Sequence, residues 1–158
     1  MRRKNLGVKA GFDRSDFQEI LPGVGLGVLR FGMSEAEIRE RLGEPEASKV
    51  FDEDRHLYYH SWGIFLFFDA DGGGMLSGME VDVACRCTLM GEEVFPLKRD
   101  DIRDLLKRLT PDEFASREAD VIFLEFDGST RIYNSQLGMH FYFSTDGFLE
   151  SINWSSKE

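Results

Sequence analysis

Apolar residues recur along this chain in two rhythms. Every second position is apolar in two stretches, Ile64, Leu66 and Phe68 in one and Met139, Phe141 and Phe143 in the other. The same period of two sets Met79 and Val81 against Glu80 and Asp82, and Ile152 and Trp154 against Asn153. Successive side chains of a strand point to opposite faces, so each stretch predicts a strand with one face in the core. A helical spacing governs two other segments. Ser34, with Glu37 three residues on, forms a capping box that opens a short helix, and Gly43 followed by Pro45 closes it. Ile102, Leu105, Leu106 and Leu109 line one side of a second helix, which Asp100 or Asp101 caps and which Pro111 stops or extends by a short turn through Phe114. The clusters D-E-D, D-A-D-G-G-G, D-G-S-T and S-T-D-G between the strands carry turn chemistry and predict an antiparallel meander after each helix.

The two halves of this pattern align with one another. F-G-M-S-E-A-E-I-R-E-R-L (residues 31–42) matches F-P-L-K-R-D-D-I-R-D-L-L (residues 95–106) without gaps. Y-H-S-W-G-I-F-L-F-F-D-A-D-G (residues 59–72) matches Y-N-S-Q-L-G-M-H-F-Y-F-S-T-D-G (residues 133–147) with one gap, and residues 75–81 match 148–154. Two blocks in the same order predict a duplicated unit. The expected organisation is an N-terminal segment (1–21), a first repeat (22–90) and a second repeat (91–158) in one compact unit. The fold class is α+β, two tandem helix-plus-antiparallel-sheet repeats with the helices on one sheet face and an open, concave face on the other.

The repeat separates the two faces. Positions apolar in both copies belong under the helices, and the alternate ones, Phe65 and Phe67 matched by His140 and Tyr142, fall on the open side with Glu80, Asp82 and Asn153. Aromatics rimmed by polar groups are the usual composition of a binding patch. Cover by the N-terminal segment or by a second copy of the chain is the other use of such a face.

Charge narrows the partners. The net charge is −10, and the basic opening M-R-R-K-N-L-G-V-K-A concentrates four cations and no acid at one end. So acidic a chain is not expected to bind nucleic acid or an anionic membrane, which require clustered positive charge. No apolar run approaches the length of a membrane span, and the opening has no apolar core of a secretory signal, so a cytoplasmic location is expected.

The chemical motifs are sparse. Cys85 and Cys87 in a C-R-C spacing read as free thiols on a strand in a reducing compartment, without the further ligands a zinc site needs. D-A-D-G-G-G-M-L-S-G-M-E (residues 69–80) fits a calcium-loop pattern, but its flanks read as strands, so it predicts a hairpin turn. His56, His60 and His140 fall on predicted strands. His60 meeting Cys85 or Cys87 is the nearest arrangement to a nucleophile–base pair. P-G-V-G-L-G (residues 22–27) lacks the Lys-Ser/Thr of a phosphate loop and reads as a flexible lead into a strand over residues 28–31. Trp62 and Trp154 read as core or edge anchors. No catalytic residue, metal site or cofactor is expected.

The stretch G-V-L-R-F-G-M-S-E-A-E-I-R-E-R-L-G-E-P (residues 27–45) resembles the opening of SmpA/OmlA-type modules, small bacterial proteins whose helix follows a comparable G-M signature. The second half lacks G-M-S and L-G-E-P. Tandem copies of such a module resemble the β-lactamase inhibitor protein architecture, in which two helix-plus-sheet repeats lie side by side and the concave sheet grips a partner protein. The resemblance covers residues 24–155 as architecture and implies recognition through Phe65, Phe67, His140 and Tyr142. The function expected is non-enzymatic protein binding through the open face, inhibitor- or immunity-like. The alternatives are a small-ligand binder or enzyme with a pocket between the repeats, built from His60, His140, Cys85, Cys87, Asp69, Asp71 or Glu80, and a homodimer joined through the open face.

Overall fold

The computed structural model describes residues 18–109, 120–124 and 128–156. The basic opening and residues 111–114 lie outside these, as does the first residue of D-G-S-T, at position 127. Three short strands come first, β1 (Gln18–Leu21), β2 (Gly25–Leu26) and β3 (Leu29–Arg30), then helix α1 (Glu35–Leu42). A meander follows: β4 (Ala47–Phe51), β5 (Asp54–Tyr59), β6 (Ile64–Phe68) and β7 (Leu76–Asp82). Two short strands, β8 (Cys87–Leu89) and β9 (Glu92–Glu93), lead to helix α2 (Arg99–Leu109). A second meander closes the chain: β10 (Asp120–Leu124), β11 (Thr130–Asn134), β12 (Met139–Phe143) and β13 (Leu149–Ser155).

The two meanders join into one eight-stranded antiparallel sheet, in the order β10-β11-β12-β13-β7-β6-β5-β4. Their last strands form the seam, where Val81 faces Ile152, Glu80 faces Asn153 and Met79 faces Trp154. Residues 75–81 align with 148–154, so the central pair of this ladder joins two positions that match in the alignment. Each half also carries a register irregularity at matched positions, between Phe67 and Phe68 and between Tyr142 and Phe143. The fold is therefore α+β, dominated by sheet.

The core lies on one side of this sheet. Ile64, Leu66, Phe68, Met79 and Val81 from the first meander share a cluster with Met139, Phe141, Phe143, Ile152 and Trp154 from the second, all almost fully buried. Ile38 and Leu42 of α1 and Ile102, Leu105 and Leu106 of α2 enter the same cluster. Full burial of each such side chain stabilises the fold by about 1.5–3 kcal/mol against the entropy of ordering it. A hydrogen bond locks α1 to the sheet, because the Tyr59 hydroxyl donates to the Gly43 carbonyl at 2.8 Å, where the helix ends. Glu35 adds an ionic tie, holding Arg55 of β5 at 2.7 Å and Arg39 at 2.8 Å, and the Arg55 hydrogen bond keeps its carboxyl below the ordinary range.

The helix starts follow local chemistry. The Ser34 hydroxyl accepts the Glu37 N–H at 3.1 Å, and the Glu37 carboxylate accepts the Ser34 N–H at 2.8 Å, completing the expected box. In α2 neither Asp100 nor Asp101 is the cap. Both lie inside the helix, and Asp101 instead accepts the Lys98 N–H at 3.0 Å, which is the second half of a capping box without the first.

A further sheet, outside the two meanders, was not expected. Strands β3-β2-β1-β8-β9 form it, with β1 parallel to β8, and Ile20, Leu26, Leu29 and Leu89 join the common core. Residues 22–27 are not a flexible lead. They turn β1 into β2, and the predicted strand over residues 28–31 shortens to β3. Gly25 is required there, since a Cβ at this position would lie 1.9 Å from the Leu29 carbonyl oxygen.

Candidate functional site

The face opposite the core presents its side chains in cross-strand rows. The middle row runs Tyr58, Phe65, Glu80, Asn153, His140, Tyr133, each facing the next on a neighbouring strand. One flanking row runs His56, Phe67, Gly78, Ser155, and the other Asp82, Ser151, Tyr142, Arg131. All seven residues picked from the sequence, Phe65, Phe67, Glu80, Asp82, His140, Tyr142 and Asn153, thus share one face, and each is half-buried.

Two aromatic panels flank a polar centre. In the first half, His56 packs against Phe51 at 4.8 Å and Phe67 at 4.7 Å between ring centroids, while His60 stacks on Tyr58 at 5.6 Å and touches Phe65 at 5.5 Å. The Phe67 ring also covers Gly78, where a Cβ would meet it at 3.5 Å, so the missing side chain leaves no gap. In the second half, His140 lies 4.5 Å from Tyr133 and 6.2 Å from Tyr142. Arg131 reaches over this panel, its Nη1 2.9 Å from His140 Nδ1 and its guanidinium 5.9 Å from the Tyr142 ring. Burial first, and the Arg131 charge second, hold the His140 imidazole below its ordinary value, so it is the neutral ring that accepts from Arg131.

Glu80 occupies the centre. Burial pushes its carboxyl above the ordinary range, and the neighbouring Asp82 adds to this, against hydrogen bonds from Asn153 and Ser151. The Glu80 carboxyl therefore sits in a partly desolvated strip between the aromatic panels, with Asp82 at its edge, where the Asp82 carboxylate accepts the Ala84 N–H. Such a strip favours a cation that arrives with its own apolar stem.

Several residues of this face had not been picked. His56 and His60 were read as strand residues, and Tyr58, Phe51, Tyr133, Arg131 and Ser151 join the face through strand register. His60 is not on a strand; it begins a short 3-10 turn over His60–Trp62 and folds back over Tyr58. It is exposed on the open side, whereas Cys85 and Cys87 are buried among the core residues, so no His–Cys pair forms. Cys85 itself lies in a bend before β8, not on a strand. Residues 69–80 form the β6–β7 hairpin, with a 3-10 turn over Ala70–Gly72 and Glu80 displaced along β7 to the sheet centre. Among the described residues no three His, Cys, Asp or Glu side chains gather in a way that could hold a metal ion. Trp154 is core and Trp62 packs at its margin.

Two surface cavities lie elsewhere. One, of about 260 Å³, is lined by Val83, Cys85, Arg86, Cys87, Glu93 and Phe95 among others. The other, of about 450 Å³, is lined by residues including Gly32, Asp69, Met75 and Ser155. Of the groups named for an enzyme pocket, Cys85 and Cys87 converge in the first of these cavities and Asp69 lies in the second. Among the described residues no helix is long and apolar enough to cross a membrane.

Comparison with protein-family models, with characterised proteins and with solved structures finds no match to this chain.

Proposed function

We propose that the chain is a non-enzymatic binding protein that holds a partner protein on the open face of its eight-stranded sheet, in the manner of an inhibitor or immunity protein. The observation that carries this reading is the middle row, in which the Glu80 carboxyl, raised by burial and by Asp82, lies between two half-buried aromatic panels. Aromatic side chains with few rotatable bonds supply contact area at low entropic cost. The acidic strip selects against anionic surfaces and for a basic side chain of the partner, and the net charge of −10 speeds encounter with a basic protein. On this reading the two halves are a duplicated module of the SmpA/OmlA type arranged as in the β-lactamase inhibitor protein. The symmetric seam at Glu80 and Asn153 and the matched register shifts support that descent. Two free thiols fit a cytoplasmic location.

The test compares tagged wild type with the Phe67→Ala/Tyr142→Ala double variant in affinity purification from the source cells, followed by titration of the captured protein against both. A basic partner bound by wild type and weakened at least ~100-fold in the variant, about 2.7 kcal/mol, supports the proposal. Capture of equal amounts by both forms, or of nothing by either, counts against it. Light scattering of the purified chain separates a partner complex from a homodimer on the same face.

A further inference from the structure

The turn from β7 into β8 carries both cysteines of the chain, Cys85 in the connection and Cys87 as the first residue of β8. Asp82 holds this turn: its carboxylate accepts the Ala84 N–H and its carbonyl accepts the Cys85 N–H, both at 2.9 Å. Gly63 lets the turn pack against the sheet, because a Cβ there would lie 2.6 Å from the Cys85 nitrogen. A straight strand would set Cα atoms two residues apart at about 6.6 Å, near the upper limit that a disulfide spans. Cys85 lies in a bend before β8. The two sulfurs lie 2.8 Å apart, with the Cys87 thiol donating to Cys85 Sγ, while both residues remain free cysteines. Although each is almost fully buried, both line the same cavity as Arg86, Glu93 and Phe95, so a small molecule entering it meets the pair.

We propose that Cys85 and Cys87 are a redox-active dithiol that closes to an intrachain disulfide by exchange with a small-molecule disulfide entering this cavity. Cys85 is the attacking sulfur. Its thiolate displaces one half of the incoming disulfide, forming a mixed disulfide and releasing a thiolate that takes up the Cys85 proton. Cys87 then loses its proton to the second leaving thiolate and attacks Cys85 Sγ, forming the intrachain bond and releasing the second thiol. Two protein thiols are oxidised and one small disulfide is reduced to two thiols, so the electrons balance. The order follows from placement, because Cys85 lies in the bend before β8 whereas Cys87 is fixed in the strand. Burial, reinforced by its hydrogen bond to Cys85, pushes the Cys87 thiol up, which keeps it protonated until the mixed disulfide stands beside it. The proposal is independent of the binding face.

The experiment equilibrates the full chain with graded mixtures of reduced and oxidised glutathione, traps free thiols by alkylation and weighs the intact protein. Expected for wild type is the paired loss of both thiols, seen as a species that takes up no alkyl group and lies about 2 Da below the unmodified reduced chain, without a retained glutathione adduct. Cys87→Ser should accumulate a mixed disulfide with glutathione on Cys85, and Cys85→Ser should form its adduct at least ~10-fold more slowly. Wild type that keeps both thiols, or that collects glutathione adducts without closing, overturns the proposal. So does closure no faster than global unfolding, measured as the same reaction across a denaturant series. The wild-type result decides the matter even if a serine variant folds poorly.

Discussion

Glu80 titrates against the fold. Because the folded chain holds its carboxyl above the ordinary range, chiefly by burial, the stability it contributes is fully present below its unfolded value and is lost as pH rises through the raised one. Glu80→Gln keeps an acceptor for Asn153 and Ser151 and removes the titration. The variant should therefore gain stability over wild type as pH rises from about 4 to 7, with the two converging at the acid end. Urea midpoints across that range check this, and a wild-type curve parallel to that of the variant would contradict the central placement of the carboxyl. The same substitution should weaken a basic partner, so one residue links stability to recognition. Reading the sequence placed Glu80 on the open face through its alternation with Met79 and Val81. Its desolvation was not legible, because that depends on Asn153 facing it from a strand remote in the chain, across from Phe65 of the adjoining hairpin strand.

At the scale of elements, the helices are short and need their ends and their sheet contacts. Helix α1 buries only Ile38 and Leu42, so its capping box and its tie to Tyr59 matter in proportion. Ser34→Ala should cost about 1 kcal/mol by removing the acceptor for the Glu37 N–H. Tyr59→Phe should cost about 1–2 kcal/mol, since it leaves the Gly43 carbonyl without its donor at a half-buried helix end. Chemical denaturation measures both. The two sites lie at opposite ends of the helix, so their double variant should lose close to the sum. The box was legible in S-x-x-E alone, because a cap is a local interaction between residues three apart. The Tyr59 bond was not, because the residues it joins meet only after α1 packs on the sheet.

For the whole molecule, the decisive feature is the seam between β7 and β13. It turns two four-stranded meanders into one sheet, and it places Met79 and Val81 in the same core as Ile152 and Trp154. Neither half can cover its share of that core alone. Separately produced segments 1–94 and 95–158 should therefore give amide spectra of unfolded chains, and mixing them should restore the dispersed spectrum of the intact protein. A half that folds by itself would show that the seam joins two finished units. In the intact chain, Phe141→Ala should cost about 3–5 kcal/mol and lower a single cooperative transition, because Phe141 is fully buried in the shared cluster.

The sequence by itself determined the elements whose signals are local: the capping box, the Gly43 stop, the hairpin turns, and the alternation that put Ile64, Leu66 and Phe68 and their counterparts Met139, Phe141 and Phe143 in the core. Those signals depend on neighbours a few residues apart and survive without tertiary contacts. It also assigned Phe65, Phe67, Glu80, Asp82, His140, Tyr142 and Asn153 to one face, because period-two parity carries face identity along a strand. Only the tertiary structure decided that the two meanders join through β7 and β13, that β1 lies parallel to β8, and that Arg131 and Tyr133 complete the second panel. Backbone pairing between distant strands is set by which registers bury both apolar faces together, a property of the assembled core rather than of any window of sequence. The same holds for the bend at Cys85, held by Asp82 and packed against Gly63, beside which the sulfurs of Cys85 and Cys87 lie 2.8 Å apart.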